Sequence, residues 1–321
     1  MPKISVILPV FNTQDFLKNS IESCLKQSLS DIEIIIIDDK STDSSLKIIE
    51  SYKDERIKII KNKENLGTFL SRNEGIKIAN GEYIIFLDGD DYLENESLEI
   101  LYNIAVSKSA DMVNFGIINK PIIKNATLPK IHTEEILGEE ITNKIIIKDF
   151  KKSWFIVCAK LFKTALVKNA IKQLAFIDRH LISSEDSILF FVICLLAKKS
   201  VGVEKNFYIY CQNDGSIMRS INKERLLKQI DDRTYLKNAL DYLSQNKDLS
   251  SHEYFHQAKK NMQNMLDYFI CYSKRFLTKN DLNTTISPYF TYSIMSFKFM
   301  ARWQIAVKLM IFILTFGTKK L

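Results

Sequence analysis

The sequence has few cysteines and no arrangement of them that is typical of a site. The five residues are Cys24, Cys158, Cys194, Cys211 and Cys271. Their number is odd, their spacings are wide and no C-x-x-C pair occurs, which excludes a disulfide framework and a thiolate zinc site. Free cysteines favour a reducing compartment, and we therefore expect a cytoplasmic protein.

Long apolar runs are also absent. The first one, Ile4–Leu8, ends at Pro9 and is too short for a signal peptide. No run approaches the roughly 20 apolar residues that a membrane-spanning helix needs. From these two observations we expect neither a cleaved leader nor a transmembrane segment.

Charge of neither sign dominates. Lys and Arg together number 45 and Asp and Glu 38, which gives a net charge of +7. Hydrophobic residues make up 46% of the 321 residues and charged residues 26%, and these proportions exclude a disordered or fibrous chain. The mild positive excess suits an anionic small molecule or an anionic membrane surface, and it does not require nucleic acid.

The first third of the chain alternates short apolar runs with segments of helical spacing. The strongest run, Glu33–Ile37, holds four consecutive isoleucines and predicts a strand buried on both faces. The predicted strands are Ile4–Leu8, Glu33–Ile37, Ile57–Ile60, Tyr83–Leu87 and Met112–Gly116, and the predicted helices are Gln14–Ser28, Asp43–Tyr52, Thr68–Ala79 and Ser97–Lys108. Such alternation indicates an α/β fold with a mostly parallel sheet flanked by helices. Residues 117–215 are mixed, and the pattern is helical from about residue 220.

Acidic residues follow two of the predicted buried strands. Asp38 and Asp39 follow the second, and Asp88 and Asp90 flank Gly89 after the fourth. Ligands of parallel sheets bind beyond the carboxyl ends of the strands, so we expect these groups to converge. Carboxylate oxygens suit Mg²⁺ or Mn²⁺, and the intervening glycine lets a ligand approach closely.

Each acidic group also has an ordinary structural interpretation. An aspartate pair is common in surface turns, and the Asp38–Asp39 pair precedes residues that can cap a helix. The residues Ser184, Glu185 and Asp186 can form the cap and the acidic first turn of a helix running from Ile188 to Ala197. The structural and the functional interpretations can hold together.

Several motifs occur in the order typical of glycosyltransferase family 2. They are P-V-F-N (9–12), D-D-K-S-T-D (38–43), N-L-G (65–67), R-N-E-G (72–75), F-L-D-G-D-D (86–91) and the acidic S-E-D (184–186). The resemblance implies a GT-A domain over residues 1–220, with a nucleotide-binding half (1–115) and an acceptor side (116–220), followed by a helical C-terminal region (221–321). One departure is Lys40, where the family commonly has glycine after its two aspartates. Residues 65–75 and the stretch from Trp154 to Leu161 are similar, more finely, to bacterial lipooligosaccharide galactosyltransferases.

The resemblance implies an inverting transfer of a hexose from a UDP-sugar to a hydroxyl of a cell-surface glycan, with Mn²⁺ or Mg²⁺. It implies galactose first, with N-acetylhexosamines and glucose as alternatives. Asp186 is the expected general base, with Glu185 as second choice. The implied donor-binding residues are Pro9, Val10, Phe11, Asp38, Asp39, Arg72, Asn73 and Asp88; the implied metal ligands are Asp90 and Asp88; and Trp154 and Lys160 are expected on the acceptor side.

Two competing functions can be weighed from the sequence. His252 and His256 belong to a literal H-E-x-x-H, which is typical of zinc hydrolases when both histidines share a helix face. No histidine or glutamate follows His256 as a third ligand, so an ordinary surface helix explains the pair better. The other competitor is a basic adaptor that binds nucleotide or nucleic acid, and the acidic groups at strand ends argue against nucleic acid because they repel phosphate.

The end of the chain has an amphipathic sequence. The aromatic and basic segment Phe297–Trp303 precedes the apolar stretch Ile305–Phe316, which Lys308 interrupts. This pattern favours an interfacial helix on anionic lipid, with Trp303 at the boundary. We therefore expect peripheral association with the inner face of the cytoplasmic membrane. A core helix or an oligomer contact is the alternative interpretation.

Overall fold

The structure is a computed structural model that describes residues 1–122, 128–150, 155–212 and 222–280. Its strands are β1 (Ile4–Val10), β2 (Ile32–Asp38), β3 (Ile57–Lys61), β4 (Tyr83–Phe86), β5 (Tyr92–Leu93), β6 (Met112–Lys120), β7 (Ile136–Leu137), β8 (Lys160–Lys163) and β9 (Lys199–Cys211). Its helices are α1 (Gln14–Leu25), α2 (Ser45–Ser51), α3 (Thr68–Ile78), α4 (Ser97–Ser107), α5 (Glu140–Thr142), α6 (Thr164–Gln173), α7 (Glu185–Leu196), α8 (Lys223–Leu243), α9 (Lys247–Ser250) and α10 (Phe255–Asn280). A π-helical segment, Asn143–Lys148, continues α5.

These strands form one mixed sheet. Its main path runs in the order β3-β2-β1-β4-β8-β6-β9-β5, and β7 pairs with β9 beside that path. The strands β1 to β4 pair in parallel, whereas β8 is antiparallel to both of its neighbours, β4 and β6. The predicted α/β architecture is confirmed. The reversed strand β8 comes from the part of the chain whose pattern was too mixed to assign.

The burial of the first strands explains why they could be predicted from the sequence. All seven positions of β2 are buried, so helices on both faces favour an unbroken run of isoleucines. Glu33 is a buried charged residue beside the isoleucines of this strand. Its carboxylate accepts hydrogen bonds from the Ser5 hydroxyl and the Asn80 amide and pairs with Lys58, each at 2.6 Å. A buried carboxylate is tolerated there because its oxygens are fully engaged.

The helix predicted to start at Asp43 begins two residues later. The Asp43 carboxylate accepts hydrogen bonds from the backbone N–H of Ser45 at 2.9 Å and from that of Gln14 at 3.0 Å. Asp43 therefore bridges the starts of α2 and α1 from outside either helix. The prediction that this segment is helical is confirmed, and its first residue is corrected.

The C-terminal helices pack against the segment that leads into α7. Asp232 of α8 is fully buried and accepts a hydrogen bond from Ile182 N at 2.8 Å. Arg233 next to it donates to Ser273 Oγ of α10 at 2.8 Å. The helical pattern predicted after about residue 220 is confirmed as far as residue 280. The boundary predicted at residues 220 and 221 and the amphipathic tail lie outside the described residues.

None of the helices in the described ranges combines the length and the apolar character that crossing a membrane requires.

Candidate functional site

The loops after β1 and β2 are tied to each other at the carboxyl edge of the sheet. The side-chain oxygen of Asn12 accepts a hydrogen bond from Thr42 N at 2.7 Å, and Asn12 N donates to Ser41 Oγ at 3.2 Å. Lys40, which stands where the family commonly has glycine, has a φ of 65°, so it adopts the left-handed conformation that glycine adopts most easily. The turn is therefore kept despite the substitution.

The predicted donor residues of β1 stand beside this pair of loops. Val10 is buried in the core, whereas Pro9 and Phe11 are half-buried. Phe11 is therefore not a fully buried core aromatic, and its ring has a partly open face at the edge of the sheet. Its predicted contact with a base stays a prediction.

Asp39 fixes the start of α3. Its carboxylate accepts hydrogen bonds at 2.8 Å from Leu66 N, Gly67 N and Asn62 Nδ2. Gly67 has a φ of 81°, and a Cβ on it would lie 2.4 Å from the His180 ring, so this close approach requires glycine. Asp39 is buried and already holds three donors of the protein, so its predicted role as acceptor of a base N–H stays a prediction. Asp38 is also buried, and its carboxylate supports the next turn by accepting from Ser41 N at 3.3 Å.

The Asp88-Gly89-Asp90 loop follows β4, two strands from Asp38. Two strand spacings are about 10 Å, so the two acidic groups share one edge of the sheet without touching. The loop rests on α1, because Ser20 Oγ donates to Gly89 O at 2.9 Å. A Cβ on Gly89 would lie 2.9 Å from Thr13 Oγ1, so glycine is needed here for close packing. Asp88 and Asp90 remain half-buried and reachable from the edge.

Arg72 of α3 joins the loop to the second acidic motif. Its guanidinium donates to Asp88 Oδ1 at 2.7 Å and to Asp186 Oδ1. The arginine side chain is 4% exposed, and it lies over the ring of Phe86. Burial alone would lower the pKa of Arg72, but the charges of Asp186 and Asp88 outweigh burial and hold the pKa well above its ordinary value. Arg72 is thus a permanent cation between two carboxylates.

The residues Glu185 and Asp186 form the first turn of α7. Ser184 precedes them with a φ of 66°, and its side chain makes no capping hydrogen bond. Of the structural role predicted for these three residues, the acidic first turn is formed and the side-chain cap is not. Asp186 Oδ2 accepts from Val157 N at 3.4 Å, which leaves that oxygen weakly engaged. Burial, and then the charge of Asp186, raise the pKa of Glu185 to about 7.

Two buried residues beneath the Asp88 loop, Cys158 and Tyr208, were not singled out as site residues from the sequence. Cys158 Sγ donates to Asp88 Oδ2 at 3.3 Å, and the hydroxyl of Tyr208 contacts both Asp88 N and Asp91. Burial, and then the charges of Asp88 and Asp90, raise the pKa of Asp91 to about 8. Tyr210, two residues later on the same strand, is 37% exposed, whereas the buried Tyr208 reaches the loop.

Two other predicted residues that the structure describes are not brought into this cluster. Asn73 is buried and its Oδ1 has no hydrogen-bond partner, and its predicted donor-binding role stays a prediction. Lys160 is buried, and its ammonium donates to Ile156 O at 2.8 Å and lies over the Phe190 ring, which corrects the expectation of a group presented to an acceptor. Burial lowers the pKa of Lys160 to about 8. Trp154 lies outside the described residues.

The helical arrangement that a zinc site needs is not formed by His252 and His256. His252 precedes α10 and is buried, and its ring nitrogens contact Thr142 Oγ1 at 3.3 Å and Tyr254 N at 3.2 Å. His256 lies in the first turn of α10 and is exposed, so the expectation of one surface helix carrying both residues is also corrected. In the parts of the chain that the structure describes, no group of three or more His, Cys, Asp or Glu is placed to hold a metal.

The donor set at the Asp88 loop nevertheless fits one kind of metal site. Mg²⁺ and Mn²⁺ commonly bind through one or two carboxylates together with phosphate oxygens and water. Asp88 and Asp90 are two half-buried carboxylates on a short loop at the edge of the sheet. A cation held there would need a phosphate-bearing ligand to complete its coordination.

Comparison with known proteins points to one family. Residues 5–167 match the model of "Glycosyl transferase family 2". The chain is 33% identical over 226 residues to the glycosyltransferase GlyG of Streptococcus pneumoniae, covering 68% of this chain and 73% of that protein. It is 34% identical over 222 residues to a poly(ribitol-phosphate) beta-glucosyltransferase of Bacillus spizizenii (67% and 33% covered) and 35% identical over 232 residues to a cholesterol galactosyltransferase of Borreliella burgdorferi (68% and 63% covered). The chain thus spans a third of the Bacillus protein and less than two thirds of the Borreliella protein.

Solved structures agree on the fold. The crystal structure of residues 1–349 of TarS from S. aureus in complex with UDP-GlcNAc superposes with a TM-score of 0.61 at 20% identity, covering 94% of this chain and 82% of that one. The same TarS fragment in complex with UDP superposes with a TM-score of 0.54 at 18% identity, covering 93% of this chain and 89% of that one.

Proposed function

Because the chain belongs to glycosyl transferase family 2 and has its GT-A fold, we propose that this glycosyltransferase moves a hexose from a UDP-sugar to a hydroxyl of a cell-surface glycan, with inversion at the anomeric carbon. The observation that carries the proposal is the Arg72 bridge. It brings Asp88, at the edge where a diphosphate would lie, next to Asp186, the candidate base. A donor-side group and an acceptor-side group thus meet at one point.

Asp186 is proposed to take the proton of the acceptor hydroxyl. A hydroxyl is a weak nucleophile and needs a base within hydrogen-bond reach. Arg72 holds Oδ1 of Asp186, and the 3.4 Å contact with Val157 N leaves Oδ2 free to turn to a stronger partner. As the proton passes to Asp186, the hydroxyl oxygen forms the new bond to the anomeric carbon and UDP leaves with the bonding electrons. One displacement inverts the centre, so a single carboxylate suffices.

Asp88 and Asp90 are proposed to hold Mn²⁺ or Mg²⁺ together with the donor diphosphate. Such a cation neutralises charge that develops on the leaving group, without needing a proton. Arg72 adds a second, permanent positive charge on the same side. The protein would then provide two carboxylates, those of Asp88 and Asp90, and the guanidinium of Arg72 around the phosphates. This is a set of ligands that Mg²⁺ or Mn²⁺ and a diphosphate can share.

Galactose is the first donor to test, and glucose, GlcNAc and GalNAc follow. Relatives are named for transfer of glucose, galactose and N-acetylglucosamine. These names agree on a hexose and differ in the arrangement of one or two groups on the ring. All three relatives therefore support transfer of a hexose or an N-acetylhexosamine by this chain, and they do not favour one of these sugars over another.

The experiment that tests the function is calorimetric binding of UDP, GDP, CMP and ADP with and without Mn²⁺. Binding of UDP that depends on Mn²⁺ and exceeds that of the other nucleotides is the expected result. Transfer from each UDP-hexose is then measured by release of UDP in the presence of glycan acceptors. Binding of no nucleotide would contradict the enzymatic proposal while leaving the fold intact.

A membrane role is proposed for the tail, residues 297–321, from its sequence alone. Its apolar stretch Ile305–Phe316 is flanked by cations on both sides, which favours anionic lipid. The full chain should sediment with phosphatidylglycerol vesicles and not with phosphatidylcholine vesicles, and deletion of 297–321 should abolish this. A deletion that unfolds the domain would instead assign the tail to the core.

A further inference from the structure

The hydroxyl of Tyr208 is the centre of a buried polar group under the Asp88 loop. The side chain is almost completely buried, and its hydroxyl donates to Asp91 Oδ2 at 2.7 Å while accepting from Asp88 N at 3.2 Å. The other oxygen of Asp91 accepts from Cys211 N at 2.8 Å. β9 therefore holds both ends of the loop: the backbone N–H of Asp88 at its start and the carboxylate of Asp91 at its end.

Cys158 fixes the carboxylate that this loop presents. Its thiol donates to Asp88 Oδ2 at 3.3 Å, and Arg72 binds Asp88 Oδ1 from the other side. Each of these two buried side chains thus directs its proton to a carboxylate of the loop, the Cys158 thiol to Asp88 and the Tyr208 hydroxyl to Asp91.

The register of the sheet explains why Tyr208 occupies this place. Leu93 of β5 pairs with Tyr208, and Tyr92 pairs with Ile209, so β9 runs directly beside the chain that leaves the loop. Ser20 closes the third side by donating to Gly89 O. The loop is thus held by groups from α1, β9 and the segment before β8. Such fixation is what a phosphate and metal site needs, because binding then costs little reorganisation.

From this geometry we propose that Tyr208 and Cys158 are positioning residues that aim the Asp88 carboxylate toward a divalent cation and a nucleoside diphosphate. The proposal rests on the proposed function, since it assumes that Asp88 faces those ligands. Neither residue touches the ligands; Tyr208 acts through the Asp88 backbone and Asp91, and Cys158 through the carboxylate itself. The competing interpretation is that Tyr208 only fills the core with its ring.

Substitution by phenylalanine separates these interpretations, because it removes the hydroxyl and keeps the ring. Tyr83→Phe is the matched control, since Tyr83 is equally buried on β4 and its hydroxyl donates to Ala110 O at 3.3 Å, away from the site. Binding of Mn²⁺ is measured from the electron paramagnetic resonance signal of free Mn²⁺ in the presence of saturating UDP. Thermal unfolding of each variant reports any general loss of stability.

We expect Tyr208→Phe to raise the apparent dissociation constant of Mn²⁺ about 10- to 100-fold, and Tyr83→Phe to change it by less than about twofold. Equal Mn²⁺ binding by wild type and Tyr208→Phe would overturn the positioning role of Tyr208 while leaving the proposed function standing. Absence of Mn²⁺ binding in the wild type itself, with UDP present, would overturn both.

Cys158 provides a second and independent test. Cys158→Ser keeps a donor to Asp88, whereas Cys158→Ala removes it. We expect Mn²⁺ affinity to fall in Cys158→Ala and to be largely retained in Cys158→Ser, with both variants folded by circular dichroism. Equal affinities in the two variants would overturn the role of the thiol, because a packing effect does not distinguish a donor from a methyl group in this way.

Discussion

Arg72 is paired with Asp186, which lies 114 residues later in the chain. The pair joins the helix that begins at the donor-side loop to the helix that carries the candidate base. The same guanidinium binds Asp88, so three charged groups from distant segments form one partly buried cluster. The geometry of this cluster, and not any single residue, distinguishes the site from three ordinary acidic turns.

We expect Arg72→Lys to lower the rate of transfer about 100-fold, since a lysine cannot hold two carboxylates in fixed directions and a displacement of about 1 Å is enough for such a loss. Arg56→Lys is the control, because Arg56 binds Asp54 in a partly exposed pair far from the site. The rate is measured by UDP release at saturating donor. Retention of wild-type turnover in Arg72→Lys would contradict the bridging role.

Asp186→Asn should retain UDP binding and lose transfer by about 10²- to 10⁴-fold, the usual range for a general base. The change removes the proton acceptor and leaves the donor pocket in place. Asp178→Asn, at an exposed position eight residues earlier, serves as the control. Calorimetry with UDP and a transfer assay give the two readouts. Normal transfer by Asp186→Asn would move the base to Glu185.

Asp90→Asn should abolish the part of the activity that depends on Mn²⁺ or Mg²⁺. The reason is that Asp90 is one of the two half-buried carboxylates proposed to hold the cation, and the third carboxylate of the loop, Asp91, is buried and already accepts from Tyr208 and Cys211. The initial rate is measured against metal concentration, with Asp54→Asn as a surface control. Full wild-type activity in EDTA would reject the metal proposal altogether.

The sequence predicted the elements of the first third well because their burial is of a simple kind. The isoleucines of β2 lie between two layers of helices, and the position of Asp38 and Asp39 at the sheet edge follows from parallel pairing alone. The strand β8 was not predicted, because its four residues are too few to show a period. Strand order in the second half depends on contacts between distant segments, which local patterns do not report.

The residues of the site likewise fall into two groups, those that local motifs reveal and those that only long-range contacts reveal. Asp88, Asp90 and Asp186 are recognisable because they stand in local motifs. The pairing of Arg72 with Asp186 and the contact between Tyr208 and the Asp88 loop are long-range, and no spacing rule links them. Tyr208 and Tyr210 are two residues apart on one strand, and only the register of β9 with β5 selects the first. The contact of Tyr208 with the acidic loop therefore could not be predicted without the pairing of the strands.

Lys160→Met should change the pH dependence of stability more than it changes catalysis. The folded-state pKa of Lys160 is about 8, below the ordinary 10.5, so the unfolded chain binds more protons between these values and stability rises with pH there. The stability of the wild type relative to Lys160→Met should therefore grow between pH 8 and pH 10.5. Urea unfolding at several pH values measures this difference. A strongly raised KM for the acceptor would instead restore the acceptor-side role predicted for this residue.

Glu185→Gln should be more stabilising, relative to the wild type, at pH 8 than at pH 4.5. The folded-state pKa of Glu185 is about 7, above the ordinary 4.5, so the folded protein binds more protons than the unfolded chain between these values. Wild-type stability must then fall as pH rises through this window, whereas a glutamine does not titrate. At about 1.4 kcal/mol per pKa unit the change is on the order of 2–3 kcal/mol. Urea unfolding of both proteins at pH 4.5, 6 and 8 measures it. A difference that is independent of pH would mean that Glu185 keeps its ordinary pKa in the folded protein, and Glu185 would then be ionised at neutral pH and as available as Asp186 to accept a proton.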